Sequence, residues 1–365
     1  MMVKETSPGL LPMQIAKHYG FPLQYTGKEQ SIAIISLGGE INMDELKKDF
    51  QAMRVPMPDI KVVLVEPESI TTEQNQMPSG ETHLDVEVIG SICPEAKITI
   101  YRGPNPSGLA AAVKKAVADK NSVISISWGA SEIYSDQNSE MESVLENAKK
   151  EGVTVCVSAG DGGSSDSRNV ADADGKAHVG YPASSHHVLA CGGTELLMKN
   201  GERSEVVWNN SNIGRGATGG GVSHLFGLPS WQSSAGIKIP SINTGKIGRV
   251  IPDVAGLAAG GDWKIYQSDK AVLIGGTSAV APLWASLIAL INEARAESGK
   301  SQLGFVNERL YDLAANGDLF TDITIGNNKS APNYPGYDAT SGFDACSGWG
   351  TPIGSKLFEA LTKLE

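Results

Sequence analysis

Ser31-Ile32-Ala33-Ile34-Ile35-Ser36-Leu37 is an apolar, β-branched run closed by Gly38-Gly39. It does not alternate apolar with polar residues, so it reads as a strand covered on both faces, the condition of a parallel sheet. Comparable runs follow at 61–65, 98–101, 123–128, 153–158 and 187–190. Between them, 43–53, 81–92, 107–118 and 141–151 carry helical spacing and few breakers. Strand alternating with helix predicts an α/β fold, a doubly wound, mainly parallel sheet flanked by helices. Beyond Lys199 the texture turns to Gly- and Ser-rich loops, interrupted at 275–296 by a glycine turn leading into a long apolar helix, and 318–352 is loop-rich again. With no internal repeat and no low-complexity linker, residues 1–365 are expected to form one domain.

The chain has 365 residues, 41% hydrophobic and 19% charged, enough to bury a large core. A formal charge of −11 argues against a nucleic-acid partner, which calls for clustered Lys and Arg. No uncharged apolar stretch has membrane-spanning length, so no membrane association is expected. Residues 1–9 lack the basic start, apolar run and cleavage site of a signal peptide. Cys93, Cys156, Cys191 and Cys346 include no CxxC spacing; Cys156 and Cys191 lie in strand-like runs and read as buried free thiols. Ser36-Leu37-Gly38-Gly39 is not a GxGxxG fingerprint, which disfavours a nucleotide-binding α/β protein.

The chemistry concentrates at Gly275-Gly276-Thr277-Ser278-Ala279-Val280-Ala281-Pro282. A small-residue turn entering a helix places the Ser278 hydroxyl where backbone N–H groups are unpaired and the helix dipole favours an anion. Pro282 is tolerated in the first turn, where its missing N–H has no partner. The string alone fits a helix cap or a nucleophile. As a whole it resembles the serine segment of the subtilisin-like fold. A subtilisin also needs a His-Gly-Thr-His segment after an early strand, and none of His18, His83, His178, His186, His187 and His224 has that setting. In its place stands Gly80-Glu81-Thr82-His83-Leu84-Asp85-Val86-Glu87, with Glu81 and Asp85 one helical turn apart. Like charges so placed cost about 0.2–0.5 kcal/mol on an exposed helix, so the pair is slightly unfavourable unless it is used.

Together with the serine segment, this pair resembles the Glu and Asp of the sedolisin family, the serine-carboxyl peptidases that include the kumamolisins. The resemblance covers nearly the whole chain, through Tyr19-Gly20-Phe21-Pro22, Ser125-Ile126-Ser127-Trp128-Gly129, Ser158-Ala159-Gly160-Asp161-Gly162-Gly163, Cys191-Gly192-Gly193-Thr194, Gly216-Ala217-Thr218-Gly219-Gly220-Gly221, Pro252-Asp253-Val254-Ala255 and Gly342-Phe343-Asp344. It implies a subtilisin-like catalytic domain in which Ser278 is the nucleophile, Glu81 the general base, Asp85 its orienting partner and Asp161 part of the oxyanion hole. A carboxyl group donates to an oxyanion only when protonated, so Asp161 must be neutral and the activity is expected in acid. Ser36 departs from the family, standing where kumamolisins carry an acid behind the catalytic glutamate, whereas Trp128 is retained.

The same resemblance implies that Ser127, Trp128 and Gly129 form an edge that pairs with an extended peptide substrate. Gly180 replaces an aspartate of some kumamolisin substrate pockets, so no preference for basic side chains is expected. Asp322, Ile323, Thr340, Gly342 and Asp344 match the family's calcium loop, two carboxylates and three main-chain carbonyls for one structural Ca²⁺ in the C-terminal region. Asp172-Ala173-Asp174-Gly175 lacks the outer ligands of an EF-hand and reads as a turn. The resemblance further implies secretion, a monomer, and a prosegment, absent from this chain, that acts as inhibitor and folding aid. An endopeptidase is the leading expectation. A tripeptidyl exopeptidase of the same family is the alternative, and an inactive peptide-binding relative is disfavoured because all four catalytic positions hold competent residues.

Overall fold

The 31–37 run forms β1 (Ser31–Leu37) at the middle of an eight-stranded sheet. The computed structural model describes residues 9–71, 79–136, 139–167, 169–199, 202–315 and 317–364. The other strands are β2 (Asp59–Leu64), β3 (Lys97–Gly103), β4 (Val123–Ile126), β5 (Thr154–Ser158), β6 (Leu189–Lys199), β7 (Glu202–Val207) and β8 (Val254–Leu257). They lie in the order β8-β6-β5-β4-β1-β3-β2 with every neighbour parallel, and β7 folds back antiparallel on β6.

The helices are α1 (Pro12–His18), α2 (Met43–Met53), α3 (Gly80–Ile92), α4 (Leu109–Ala118), α5 (Glu140–Lys150), α6 (Ser230–Ser234), α7 (Val280–Glu297), α8 (Asn307–Ala314) and α9 (Gly354–Lys363). Side chains alternate across β1: Ile32 and Ile34 join a core with α2, α3 and α7, while Ala33 and Ile35 join a second core with α4 and α5. Helices thus cover both faces, the doubly wound arrangement the sequence predicts. By length and composition alone, the segment Thr277–Glu297 could cross a membrane; it is instead the central core helix, with 94% of that window buried.

The strand reading needs three corrections. β2 is an edge strand with several exposed residues, not a strand buried on both faces. β4 stops at Ile126, because the chain leaves the ladder at Ser127 to enter the site. β6 begins at Leu189 and runs to Lys199, since β7 gives its second half a partner. All four cysteines are buried and free.

The Pro252-Asp253 segment has a structural explanation. Asp253 is fully buried and accepts two bonds from the equally buried Arg249 guanidinium, both at 2.7 Å, with further bonds from Ala190 N (2.7 Å), Asn307 Nδ2 (3.1 Å) and Tyr311 OH (2.6 Å). The pair ties the start of β8 to β6 and α8, and burial without such partners would be costly.

Candidate active site

In parallel sheets, ligands gather beyond the carboxyl ends of the strands. Here β4 releases Ser127, Trp128 and Gly129, and β5 releases the loop carrying Asp161. Helix α3 brings Glu81 in its first turn, and the turn Thr277–Ala279 brings Ser278 immediately before α7. A cavity of about 670 Å³ is lined by Glu81, Ser127, Trp128, Gly129, Asp161 and Ser278 among others. Sequence reasoning therefore names residues that the fold does bring together.

The serine turn and the Asp161 loop are joined by Thr277, a residue the sequence reading left without a role. Both its backbone N–H and its hydroxyl donate to Asp161 Oδ1 at 2.8 Å, and its hydroxyl oxygen accepts from Gly160 N at 3.1 Å. One hydroxyl thus fixes the loop that carries the acid. Gly276 has φ 129°, and a Cβ there would stand 2.8 Å from Asp161 Oδ2, so glycine is required on both counts. Two donors on Oδ1 leave a proton on this carboxyl group to Oδ2.

Helix α3 is capped by Ser79, whose hydroxyl accepts from Thr82 N at 3.2 Å, and is buried from Thr82 to Ile92. Asp85 is consequently enclosed on a helix with no solvent face. Burial first, then the charge of Glu81, push its carboxyl well above the usual carboxylate range, with the Ser127 bond pulling partly the other way. Ser127 Oγ lies 2.8 Å from Asp85 Oδ1 and 3.1 Å from the Ser278 carbonyl oxygen. A hydroxyl has one hydrogen, so Ser127 donates to an ionised Asp85 or, when Asp85 is protonated and donates to it, to the Ser278 carbonyl. Ser127, expected at the substrate, has its side chain engaged in this bridge.

Ser36, at the position of the family's acid, lies 2.7 Å from Thr82 Oγ1, which also meets Ser79 Oγ. A hydroxyl chain, Ser36 to Thr82 to Ser79, thus stands at the foot of α3. Trp128 Nε1 is buried with no acceptor among the described residues. His178 lines the cavity, but its Nε2 meets Asp174 Oδ1 at 2.9 Å.

Gly129 admits a close neighbour: a Cβ there would stand 2.8 Å from the Tyr181 carbonyl oxygen. Its lack of a side chain is thus already demanded by the protein's own backbone. Opposite it, Gly180 does not leave the pocket free of acid. A Cβ on Gly180 would lie 3.6 Å from Asp166 Oδ2, and Asp166 lines the same cavity. Asp166 is partly buried as a residue, but its Oδ2 is buried without a donor among the described residues. Burial, then the charges of Glu132 and Asp161, push the Asp166 carboxyl up to about 8. No motif announced Asp166; the loop delivers it through left-handed turns at Gly163 and at Asp166 itself, φ 65° and 49°.

The C-terminal loop brings Asp322 and Asp344 to one turn. Asp322 Oδ2 accepts from Gly342 N at 2.8 Å, and Asp344 Oδ2 from Thr340 N at 3.1 Å, so both carboxylates meet the 340–344 turn. Asp344 is buried, which pushes its carboxyl up, and its donors are backbone N–H groups and the Ser347 hydroxyl. No cationic side chain reaches it among the described residues. Two neighbouring carboxylates, one buried and with no cationic side chain on it among the described residues, fit a hard cation. Ile323 is buried beside Asp322. The 172–175 segment is a turn, as expected, with Asp174 paired to His178.

The profile of the subtilase family matches residues 69–342. Kumamolisin of Bacillus sp. (strain MN-32) is 42% identical over 360 residues, covering 96% of this chain and 63% of that protein. Tripeptidyl-peptidase 1 of Canis lupus familiaris is 36% identical over 195 residues, covering 50% of this chain and 33% of the other. The structure of Pseudomonas sedolisin, a serine-carboxyl proteinase complexed with two molecules of pseudo-iodotyrostatin, matches with a TM-score of 0.81 at 28% identity, over 97% of this chain and 98% of that one. The chain spans less than two thirds of the length of these curated relatives.

Proposed function

The chain belongs to the subtilase family, in its sedolisin group of serine peptidases, and from that premise we propose that it is an acid-acting serine-carboxyl endopeptidase, residues 1–365 forming one catalytic domain. The observation that carries the reading is the convergence of Ser278, Glu81 and Asp161 on one cavity, with Asp85 enclosed behind Glu81 and bridged to the serine turn by Ser127.

In this reading Ser278 Oγ attacks the scissile carbonyl carbon while Glu81 takes its proton. Asp85 stays neutral and holds Glu81 in place. Negative charge on the carbonyl oxygen is met by the Ser278 N–H and by the Asp161 carboxyl, whose proton sits on Oδ2 because Thr277 occupies Oδ1. As the tetrahedral intermediate collapses, Glu81 returns the proton to the leaving amine and the acyl group remains on Ser278. Water, deprotonated by Glu81, then releases the acid and restores the hydroxyl. The rate rises as pH falls below neutral, where Asp85 and Asp161 are neutral, and fades when Glu81 is itself protonated; the coupled carboxyls titrate as a group.

The peptide lies along Trp128 and Gly129. Asp322 and Asp344, with the carbonyls of Ile323, Thr340 and Gly342, would hold one Ca²⁺, which would neutralise the buried Asp344 and stiffen the C-terminal loop. Export, with a prosegment restraining the enzyme until acid removes it, completes the proposal.

Digestion of an unfolded protein at about pH 4, near ordinary carboxyl pKa values, tests it. The wild type cleaves, whereas Ser278→Ala and Glu81→Ala do not; equal cleavage by all three refutes the assignment. The partial likeness to a tripeptidyl-peptidase makes exopeptidase action the second reading. Early products of mixed length support internal cleavage, and a ladder of tripeptides supports the other.

A further inference from the structure

Away from the catalytic cavity, α2 and α3 each present two acceptors one helical turn apart: Glu45 and Asp49 on α2, His83 and Glu87 on α3. One ligand atom from each of Glu45, Asp49 and His83 lies within 4.8 Å of the others. Asp49 and Glu87 are both 0% exposed. Each uses one oxygen, Asp49 Oδ1 accepting from Asp269 N at 2.7 Å and Glu87 Oε2 from Tyr266 N at 2.9 Å. The other oxygens, Asp49 Oδ2 and Glu87 Oε1, are buried without a donor among the described residues. Glu45, half-buried, accepts from Ser268 Oγ at 2.5 Å. No Lys or Arg pairs with any of the four among the described residues.

A buried carboxyl is stabilised by a proton, a donor or a cation; with several clustered here, a shared cation serves them together, and an imidazole beside two of them changes which cation suits. Calcium and magnesium take oxygen ligands, whereas a mixed nitrogen and oxygen set favours a first-row transition ion. We propose that Glu45, Asp49 and His83 bind one divalent transition-metal ion of the zinc class, with Glu87 as the neighbouring acceptor that orients this shell. Carboxylate and imidazole ligands projecting from facing helices are a known way to build such a site. The ion clamps α3, the helix that carries Glu81 and Asp85, onto α2 and onto the Ser268-Asp269 turn of the hairpin formed by strands Trp263–Gln267 and Lys270–Ile274. This site rests on geometry separate from the catalytic reading and stands or falls without it.

The test titrates the chelator-treated protein with Co²⁺ at pH 7, in excess Ca²⁺ so that the 322–344 loop does not compete, following the visible d–d absorption, and then displaces Co²⁺ with Zn²⁺. One equivalent saturates the band and Zn²⁺ abolishes it. Glu45→Gln, at a half-buried position, weakens binding at least about tenfold while its circular dichroism stays that of the wild type, and His83→Gln removes the band. Zn²⁺ raises the melting temperature of the wild type more than that of Glu45→Gln. Absence of a saturable band in the wild type, or a band of equal affinity in folded Glu45→Gln, overturns the site.

Discussion

Replacing Asp166 by Asn removes a titrating group and keeps nearly the same shape. In the folded protein this carboxyl titrates at about 8 against an ordinary 3.8, raised by burial and by Glu132 and Asp161. Its folded value is raised, so its contribution to stability is fully present below the unfolded value. As pH rises above that value the unfolded chain releases the proton while the folded protein retains it, and stability declines until the folded group ionises near pH 8. At 1.36 kcal/mol per unit, the loss between pH 4 and pH 8 amounts to about 5 kcal/mol, an upper bound because the pocket relaxes around an ionised group. Urea unfolding at pH 4, 6 and 8 measures it. The wild type loses stability over this range, and Asp166→Asn loses less by several kcal/mol, the two curves converging in acid. Parallel curves, or a variant that falls faster than the wild type, would refute a buried, neutral Asp166.

Ser127→Ala removes the bridge between Asp85 and the Ser278 carbonyl; at about 1–2 kcal/mol for a buried partner left unsatisfied, kcat falls about five- to thirtyfold with KM little changed, and unchanged kcat on a peptide substrate counts against the bridge. Thr277→Val removes one of two donors on Asp161 Oδ1 and the acceptor for Gly160 N. It lowers kcat about ten- to a hundredfold, a fraction of what loss of an oxyanion donor costs, and a loss confined to KM contradicts the role given to Asp161. Chelation lowers the wild-type melting temperature and added Ca²⁺ restores it; Asp322→Asn melts low and gains nothing from Ca²⁺, so a variant still responding to the ion removes Asp322 from the site.

The alternation of strand and helix was readable because each layer has a one-dimensional pattern. The 43–53 and 81–92 stretches match α2 and α3 almost to the residue, since each is bounded by an N-capping side chain, Asn42 or Ser79, that accepts from the first turn. What failed to show was lateral position. Nothing in 61–65 says that β2 closes the edge of the sheet, because edge status depends on which strands pair, and pairing is decided elsewhere in the chain. The same limit governs the site: Ser278, Glu81, Asp85 and Asp161 sit in strings with recognisable neighbours, whereas Asp166 belongs to the pocket only because the loop turns back at Gly163.

Among the described residues, Asp85 is met by a hydroxyl and Asp161 by a hydroxyl and a backbone N–H, and this bears on the proposed acid chemistry. Neither Lys nor Arg is among the described residues lining the cavity. Asp85 is met by Ser127, Asp161 by Thr277, and the foot of α3 by Ser36, Thr82 and Ser79. A guanidinium in any of these places would hold its carboxylate ionised well into acid and leave no proton for an oxyanion. A hydroxyl can accept from a neutral carboxyl or donate to an ionised one, so it leaves the choice to pH and burial. Burial drives Asp85 toward the neutral form. Ser36 in place of an acid fits the same logic, since a further carboxylate there would add a like charge behind Glu81, whereas a hydroxyl bound to Thr82 adds none.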